Sequence, residues 1–123
     1  MNFTVDKQDR YSVVKVQAEK LDTAVAPALK SELVMLNAQG IKNIIIDLSE
    51  TKYCDSSGLS AILVANRLCK NVEGTFVLTA LQDPVTKLIS ISQLDTILNI
   101  TPTLNEAVDY LFMEEVEKGL NEE

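Results

Sequence analysis

The residues with the clearest potential for chemistry are the four at Asp55-Ser56-Ser57-Gly58. They follow three consecutive isoleucines at 44–46, which predict a buried strand, and they precede an apolar helical pattern that begins at Leu59. Small and acidic residues at such a junction are typical of a helix start, and the pattern predicts a serine at the N-cap. The first N–H groups of a helix have no partner inside it, so they can accept a negative charge. We therefore interpret this stretch as a regulatory hydroxyl at which the charge changes.

The overall charge limits the partners that this 123-residue chain can have. Its net charge is −7, whereas nucleic-acid binding needs clustered Lys and Arg, and binding to an anionic membrane needs a basic surface. No apolar run reaches the roughly 18 residues of a membrane span, and the N-terminus lacks a signal-peptide pattern. We expect one cytoplasmic domain whose partners include neither nucleic acid nor a membrane.

The scarcity of certain residue types argues against an enzyme. The chain has no His, so it cannot form a Ser-His-Asp or Cys-His arrangement, and its two cysteines are too few for a Cys- and His-based zinc site. A nucleophilic Ser56 or Cys54 would need a Lys or carboxylate base, and nearby Lys52 is more simply a solvated cation. We predict no enzymatic activity, no catalytic residues, no metal and no cofactor, and we expect Cys54 and Cys69 to be buried, reduced thiols.

Strands and helices alternate along the chain after an opening hairpin. The short polar loop at residues 7–10 requires the first two strands to pair antiparallel, and helical crossovers should make the later strands parallel. The predicted fold is therefore α/β, a mixed sheet with about four α-helices. We expect the domain to occupy residues 1–113, followed by an acidic tail at 114–123 that frays. The predicted strands lie at residues 2–7, 11–18, 41–48, 75–79 and 96–100, and the predicted helices lie at 25–39, 55–71, 83–92 and from 104 onward.

The helix that follows the motif carries two apolar stripes. Leu59, Ile62 and Leu63 form one of them. The other consists of Ala61, Val64, Ala65 and Leu68. Only one stripe can face the sheet, so the second must meet either a neighbouring helix, which we favour, or a partner that docks close to Ser56.

The run from Asp47-Leu48 through Asp55-Ser56-Ser57-Gly58-Leu59 resembles the signature of the STAS domain, specifically that of the bacterial anti-sigma factor antagonists. The Leu21-Asp22 step before the first helix, the order of elements and the length agree with this resemblance. It implies a STAS-like fold and phosphorylation of Ser56 by a partner that is both a serine kinase, which binds ATP, and an anti-sigma factor. A phosphatase is the second implied partner. The implied partner-binding patch consists of Asp22, Asp55, Ser57, Gly58 and Leu59.

Two alternatives to a phosphorylation-switched antagonist remain open. Some relatives keep the STAS fold without phosphorylation, as modules of stress-signalling assemblies or of lipid-transport systems. A small-ligand or nucleotide-binding module is the other alternative, because helix N-termini beside parallel strands bind phosphates. Against it, the chain has four glycines in all and neither a Gly-x-x-x-x-Gly-Lys run nor a Gly-x-Gly-x-x-Gly run.

Overall fold

A five-stranded mixed sheet lies at the centre of the protein, in a computed structural model that describes residues 2–121. The strands are β1 (Phe3–Lys7), β2 (Ser12–Val16), β3 (Lys20–Leu21), β4 (Ile44–Asp47), β5 (Tyr53–Cys54), β6 (Phe76–Thr79) and β7 (Asn99–Thr101). The helices are α1 (Ala26–Ala38), α2 (Ser56–Asn71), α3 (Asp83–Ile91) and α4 (Leu104–Asn121), and a short 3-10 turn covers Leu94–Thr96.

The sheet has the strand order β1-β2-β4-β6-β7. β1 pairs antiparallel with β2, whereas β4 is parallel to both β2 and β6, and β7 is parallel to β6. This topology confirms the predicted α/β fold, with an opening hairpin followed by parallel strands. The two-residue strands β3 and β5 were not predicted, and they form a separate parallel pair.

The two faces of the sheet carry separate apolar clusters. Helices α1, α2 and α3 cover one face, whose buried strand residues include Val14, Ile44, Ile46, Phe76 and Leu78. Helix α4 covers the other face, where Ala107 and Leu111 pack against Val13, Ile45 and Val77. Because β4 is covered on both sides, all four of its residues are buried, which explains its uninterrupted run of isoleucines. Each fully buried Ile stabilises the fold by about 1.5–3 kcal/mol.

Helix α1 packs beside α2, so the second apolar stripe of α2 has a neighbour within the chain. Both stripes contribute buried residues, Leu59 and Ile62 from one and Ala61 and Ala65 from the other. The neighbouring-helix interpretation is therefore confirmed.

The last strand begins later than the sequence predicted. Residues 96–100 were expected to form it, but the strand starts at Asn99. Both Ile97 N and Leu98 N donate to Leu94 O, so these residues complete a turn and are not available to the sheet. The sequence thus predicted a strand in this region correctly, but placed its start three residues too early.

Helix α4 continues through the segment that the sequence assigned to an acidic tail. It runs to Asn121 without a break at residue 113, and only Glu122 and Glu123 of the predicted tail lie outside the described residues. Within this segment the Glu115 carboxylate accepts hydrogen bonds from Asn43 Nδ2 at 2.7 Å and Arg10 Nη1 at 3.2 Å. The second half of α4 is therefore attached to the amino end of β4.

Across residues 2–121, none of the helices combines the length and apolarity needed to cross a bilayer.

Replacing Glu115 tests whether this attachment stabilises the domain. We expect Glu115→Ala to lower the free energy of unfolding by about 1–3 kcal/mol, because the buried Asn43 amide loses a charged acceptor. The matched control is Glu117→Ala, an exposed position on the same helix, which should change stability by less than about 0.5 kcal/mol. Urea denaturation of both variants measures the difference. A loss below about 0.5 kcal/mol in both variants would show that the Glu115 contacts do not stabilise the domain.

Candidate functional site

The motif at residues 55–58 forms the N-terminus of α2. Asp55 has an extended backbone, its Oδ1 accepts a hydrogen bond from Gly58 N at 3.0 Å, and its carbonyl accepts one from Leu59 N at 3.0 Å. Asp55 is therefore the N-cap, and this corrects the prediction that a serine occupies that position. Ser56 is the first helical residue; its side chain is exposed, and its hydroxyl makes no hydrogen bond to any residue in the described part of the chain.

The β3–β5 pair brings Asp22 next to the motif. Leu21 is the register partner of Cys54, and Asp55 N donates to Leu21 O at 3.2 Å. An aspartate directly follows each of these two strands, so Asp22 and Asp55 lie side by side where β3 and β5 end. Asp22 Oδ1 accepts from Ala24 N at 3.0 Å, and the Asp22 carbonyl accepts from two further amides in the turn that leads into α1. Each aspartate thus organises the entry into one of two neighbouring helices.

Gly58 and Leu59 face the interior. A Cβ added at Gly58 would lie 2.3 Å from Leu21 O and 2.6 Å from Cys54 Sγ, so there is no space for any other residue. Leu59 is only 9% exposed and belongs to the main apolar cluster. These two members of the predicted partner-binding patch therefore offer no exposed side chain. They hold the turn in place, whereas Asp55 is exposed and Asp22 and Ser57 are half-buried.

A depression of about 410 Å³ lies between the N-termini of α1 and α2. Its walls are formed by Thr23, Ala26, Pro27 and Lys30 on one side and by Ser56, Ser57 and Ser60 on the other. Lys30 is the one charged residue among them, and within residues 2–121 no carboxylate lies within 4 Å of its ammonium group. The backbone N–H groups of Ser56 and Ser57 also have no partner in that part of the chain. An anion attached to Ser56 would therefore meet two unpaired amides beside a cation.

Two residues at this site were missed by the sequence reasoning. Lys30 lies on α1, and only the packing of α1 against α2 brings it close to Ser56. Tyr53 precedes the motif on β5, and its side chain is 55% exposed. Tyrosine is enriched in protein interfaces, so an aromatic residue two positions before Asp55 was the signal that the sequence offered.

The groups considered as nucleophile and base are poorly disposed for catalysis. Burial, together with the negative charge of Asp55, raises the pKa of Cys54 to about 12, so this half-buried thiol stays protonated at neutral pH. Lys52 is exposed and pairs with Glu19 at 3.0 Å, in agreement with the expectation of a solvated cation. Neither geometry resembles an activated nucleophile.

Comparison with known proteins places this geometry in context. The STAS domain family model matches residues 2–107. The anti-sigma-B factor antagonist of Bacillus subtilis is 30% identical over 102 residues, which are 82% of this chain and 93% of that protein. The crystal structure of an anti-sigma factor antagonist from Mycobacterium paratuberculosis is 27% identical, with a TM-score of 0.79 over 89% of this chain and 92% of that one. The phosphorylated form of SpoIIAA from Bacillus shares the fold, with a TM-score of 0.70 at 22% identity over 88% and 97% of the two chains.

The close approach at Gly58 gives a direct test of how the motif is positioned. We expect Gly58→Ala to lower the free energy of unfolding by about 1–3 kcal/mol, because the new methyl group overlaps the Leu21 carbonyl. Hydrogen exchange at the Asp55 amide should accelerate as its bond to Leu21 weakens.

The matched control is Gly119→Ala on α4, where a Cβ meets nothing within 4 Å. Alanine has the higher helix propensity, so this variant should be as stable as the parent or slightly more stable. Similar losses in the two variants would show that close packing at Gly58 does not hold the turn.

Proposed function

The chain belongs to the STAS domain family, and from this membership we propose that it is an anti-sigma factor antagonist switched by phosphorylation of Ser56. The observation that carries the proposal is the exposed hydroxyl of Ser56, which is not needed for capping because Asp55 fills that role. The proposed partners are an anti-sigma factor that is also a serine kinase and a phosphatase that reverses the modification, and we expect all of them in the cytoplasm.

The reaction requires little of this chain beyond a presented hydroxyl. Ser56 Oγ attacks the γ-phosphorus of ATP held by the kinase, the bond to the bridging oxygen of ADP breaks, and the serine proton passes to a base of the kinase. The chain has no His, and the neighbouring Asp55 carboxylate is bonded to Gly58 N, so the base is expected on the kinase. The phosphatase would hydrolyse the phosphoserine with water and restore the hydroxyl.

The fold is suited to tolerate the phosphate. A phosphoserine adds about −1.5 to −2 charges at neutral pH, and a helix N-terminus favours such a charge by roughly 0.3–1 kcal/mol. The amides of Ser56 and Ser57 are unpartnered within the described residues, and Lys30 lines the same depression. We therefore expect phosphorylation to leave the protein folded.

The switch would instead act on docking. Tyr53, Asp55 and Ser56 are exposed around the motif, and Asp22 is half-buried beside them, so the surface offered to a partner is already acidic. An added dianion must be desolvated on docking, and it meets the like charges of two aspartates. A penalty of about 3 kcal/mol would weaken binding more than a hundredfold. The structure of SpoIIAA in its phosphorylated form, a relative in fold, supports the expectation that this fold accommodates a phosphate.

Phosphorylation is tested by mass spectrometry. The purified chain, incubated with ATP and a lysate of its native host, should gain the mass of one phosphoryl group, and peptide mapping should locate it at Ser56. Ser56→Ala should abolish the modification, whereas Ser57→Ala, one residue away, should retain it. Modification mapped to another serine, or none at all, would contradict the phosphorylation proposal.

The docking step is tested with variants at the same position. With the purified anti-sigma partner, we expect Ser56→Asp to raise the Kd at least about tenfold, because it adds a charge to the interface. Ser56→Ala and the neutral isostere Ser56→Asn should keep the parental Kd. Calorimetry measures binding, and thermal unfolding should show closely similar midpoints for all four proteins. A large loss of stability in Ser56→Asp, or equal binding by the Asp and Asn variants, would argue against a charge switch at the interface.

A further inference from the structure

A second cavity lies at the opposite end of the sheet from Ser56. It is a cleft of about 670 Å³ at the amino ends of β4 and β6, and we name it the amino-end cleft. The charged residues that line it are Arg10, Lys42, Lys70, Lys118, Glu73 and Glu115. No residue of the motif at 55–58 contributes to it, so the cleft does not depend on the proposed function.

The cleft concentrates positive charge in an acidic protein. The chain has a net charge of −7, with eleven Lys and Arg residues and eighteen Asp and Glu residues. Four of the basic residues line the cleft, but only two of the acidic ones do. The four cations come from four separate segments: the β1–β2 turn, the loop before β4, the end of α2, and α4. Such convergence is produced by the fold and not by a run of basic sequence.

The ammonium of Lys118 is held in position by hydrogen bonds, and no carboxylate among residues 2–121 pairs with it. Its ammonium donates to two neutral oxygens, Glu73 O at 2.9 Å and Thr75 Oγ1 at 3.1 Å. Within residues 2–121 it forms no ion pair with a carboxylate, and its third N–H is available to a ligand.

The remaining charges leave the cleft positive. Lys42 and Lys70 likewise form no ion pair in the described part of the chain. Arg10 is neutralised by Glu115 at 3.2 Å. Glu73 is the other acidic residue in the described lining, so three ammonium groups that form no ion pair among residues 2–121 face one carboxylate.

We propose that the amino-end cleft binds a small molecule bearing two or more linked phosphate groups. Ammonium groups act as point charges that bind phosphate oxygens from any direction, and three of them at different points of the rim suit a ligand with several negative charges. The volume lies in the usual range for small-molecule sites and exceeds what a diphosphate alone would fill. The phosphates could therefore come from inorganic pyrophosphate or from a nucleoside triphosphate.

Titration calorimetry of the full chain with pyrophosphate, ATP and adenosine tests this proposal. We expect saturable binding of the phosphate compounds that weakens as salt is raised, because the contacts are between exposed charges. Tighter binding of ATP, together with measurable binding of adenosine, would identify a nucleotide ligand. Equal affinities for pyrophosphate and ATP would identify the phosphate groups alone. Either result supports the proposed phosphate site in the cleft. If neither pyrophosphate nor ATP binds saturably, the proposal is wrong.

Lysine variants locate the site. Lys70→Gln and Lys42→Gln should each raise the Kd about fivefold, the loss expected for a unit charge a few ångströms away in water. Neither side chain makes a hydrogen bond within the described residues, so both variants should fold. Lys118→Met would remove two hydrogen bonds, so the test does not depend on that variant. Lys87→Gln, an exposed lysine on α3 outside the cleft, is the control and should keep the parental Kd. If Lys87→Gln raised the Kd as much as Lys70→Gln, binding would reflect only the overall charge of the protein, and the proposed site in the cleft would be refuted.

Discussion

The position of the motif depends on the contact between Gly58 and the short β3–β5 pair. Gly58 has no Cβ, so α2 can approach the Leu21 carbonyl more closely than any other residue would allow. The same carbonyl accepts the Asp55 N–H, and the Asp55 carboxylate returns to the Gly58 N–H. These contacts join strand, cap and helix into one rigid turn. The hydroxyl of Ser56 lies within that turn and takes no part in these bonds, so the turn is held without it.

The polarity of the parallel sheet gives the molecule two unlike ends. Two helices begin near the carboxyl end of β4. The amides of Ser56 and Ser57 on α2, which have no partner within residues 2–121, and Lys30 of α1 lie beside the Ser56 side chain there. At the other end, basic side chains from the β1–β2 turn, the loop before β4, the end of α2 and α4 converge near the amino ends of β4 and β6. Both ends are therefore suited to the anions proposed for them, a phosphate on Ser56 at one end and a ligand in the amino-end cleft at the other, although the protein as a whole is acidic.

Sequence patterns predicted the elements that bury apolar residues over several turns or rungs. The isoleucines at 44–46 and the alternation in β1 and β2 were sufficient for this. The strands β3 and β5 have two residues each, too few for any periodicity, and their pairing depends on contacts between distant parts of the chain. The attachment of the end of α4 was not predicted for a similar reason, because Glu115 is an ordinary surface acid until its bond to Asn43, 72 positions away, is known.

The identity of the cap could not be predicted because Asp and Ser cap helices almost equally well. The choice has a functional consequence. If the serine were the cap, its modification would alter the group that satisfies the first helical amides, and loss of a cap costs about 1 kcal/mol. With Asp55 as the cap, a change at Ser56 leaves the Gly58 N–H bonded. The order Asp-Ser thus separates the residue that stabilises the turn from the residue proposed to be phosphorylated, so the proposed switch would change recognition while stability is preserved.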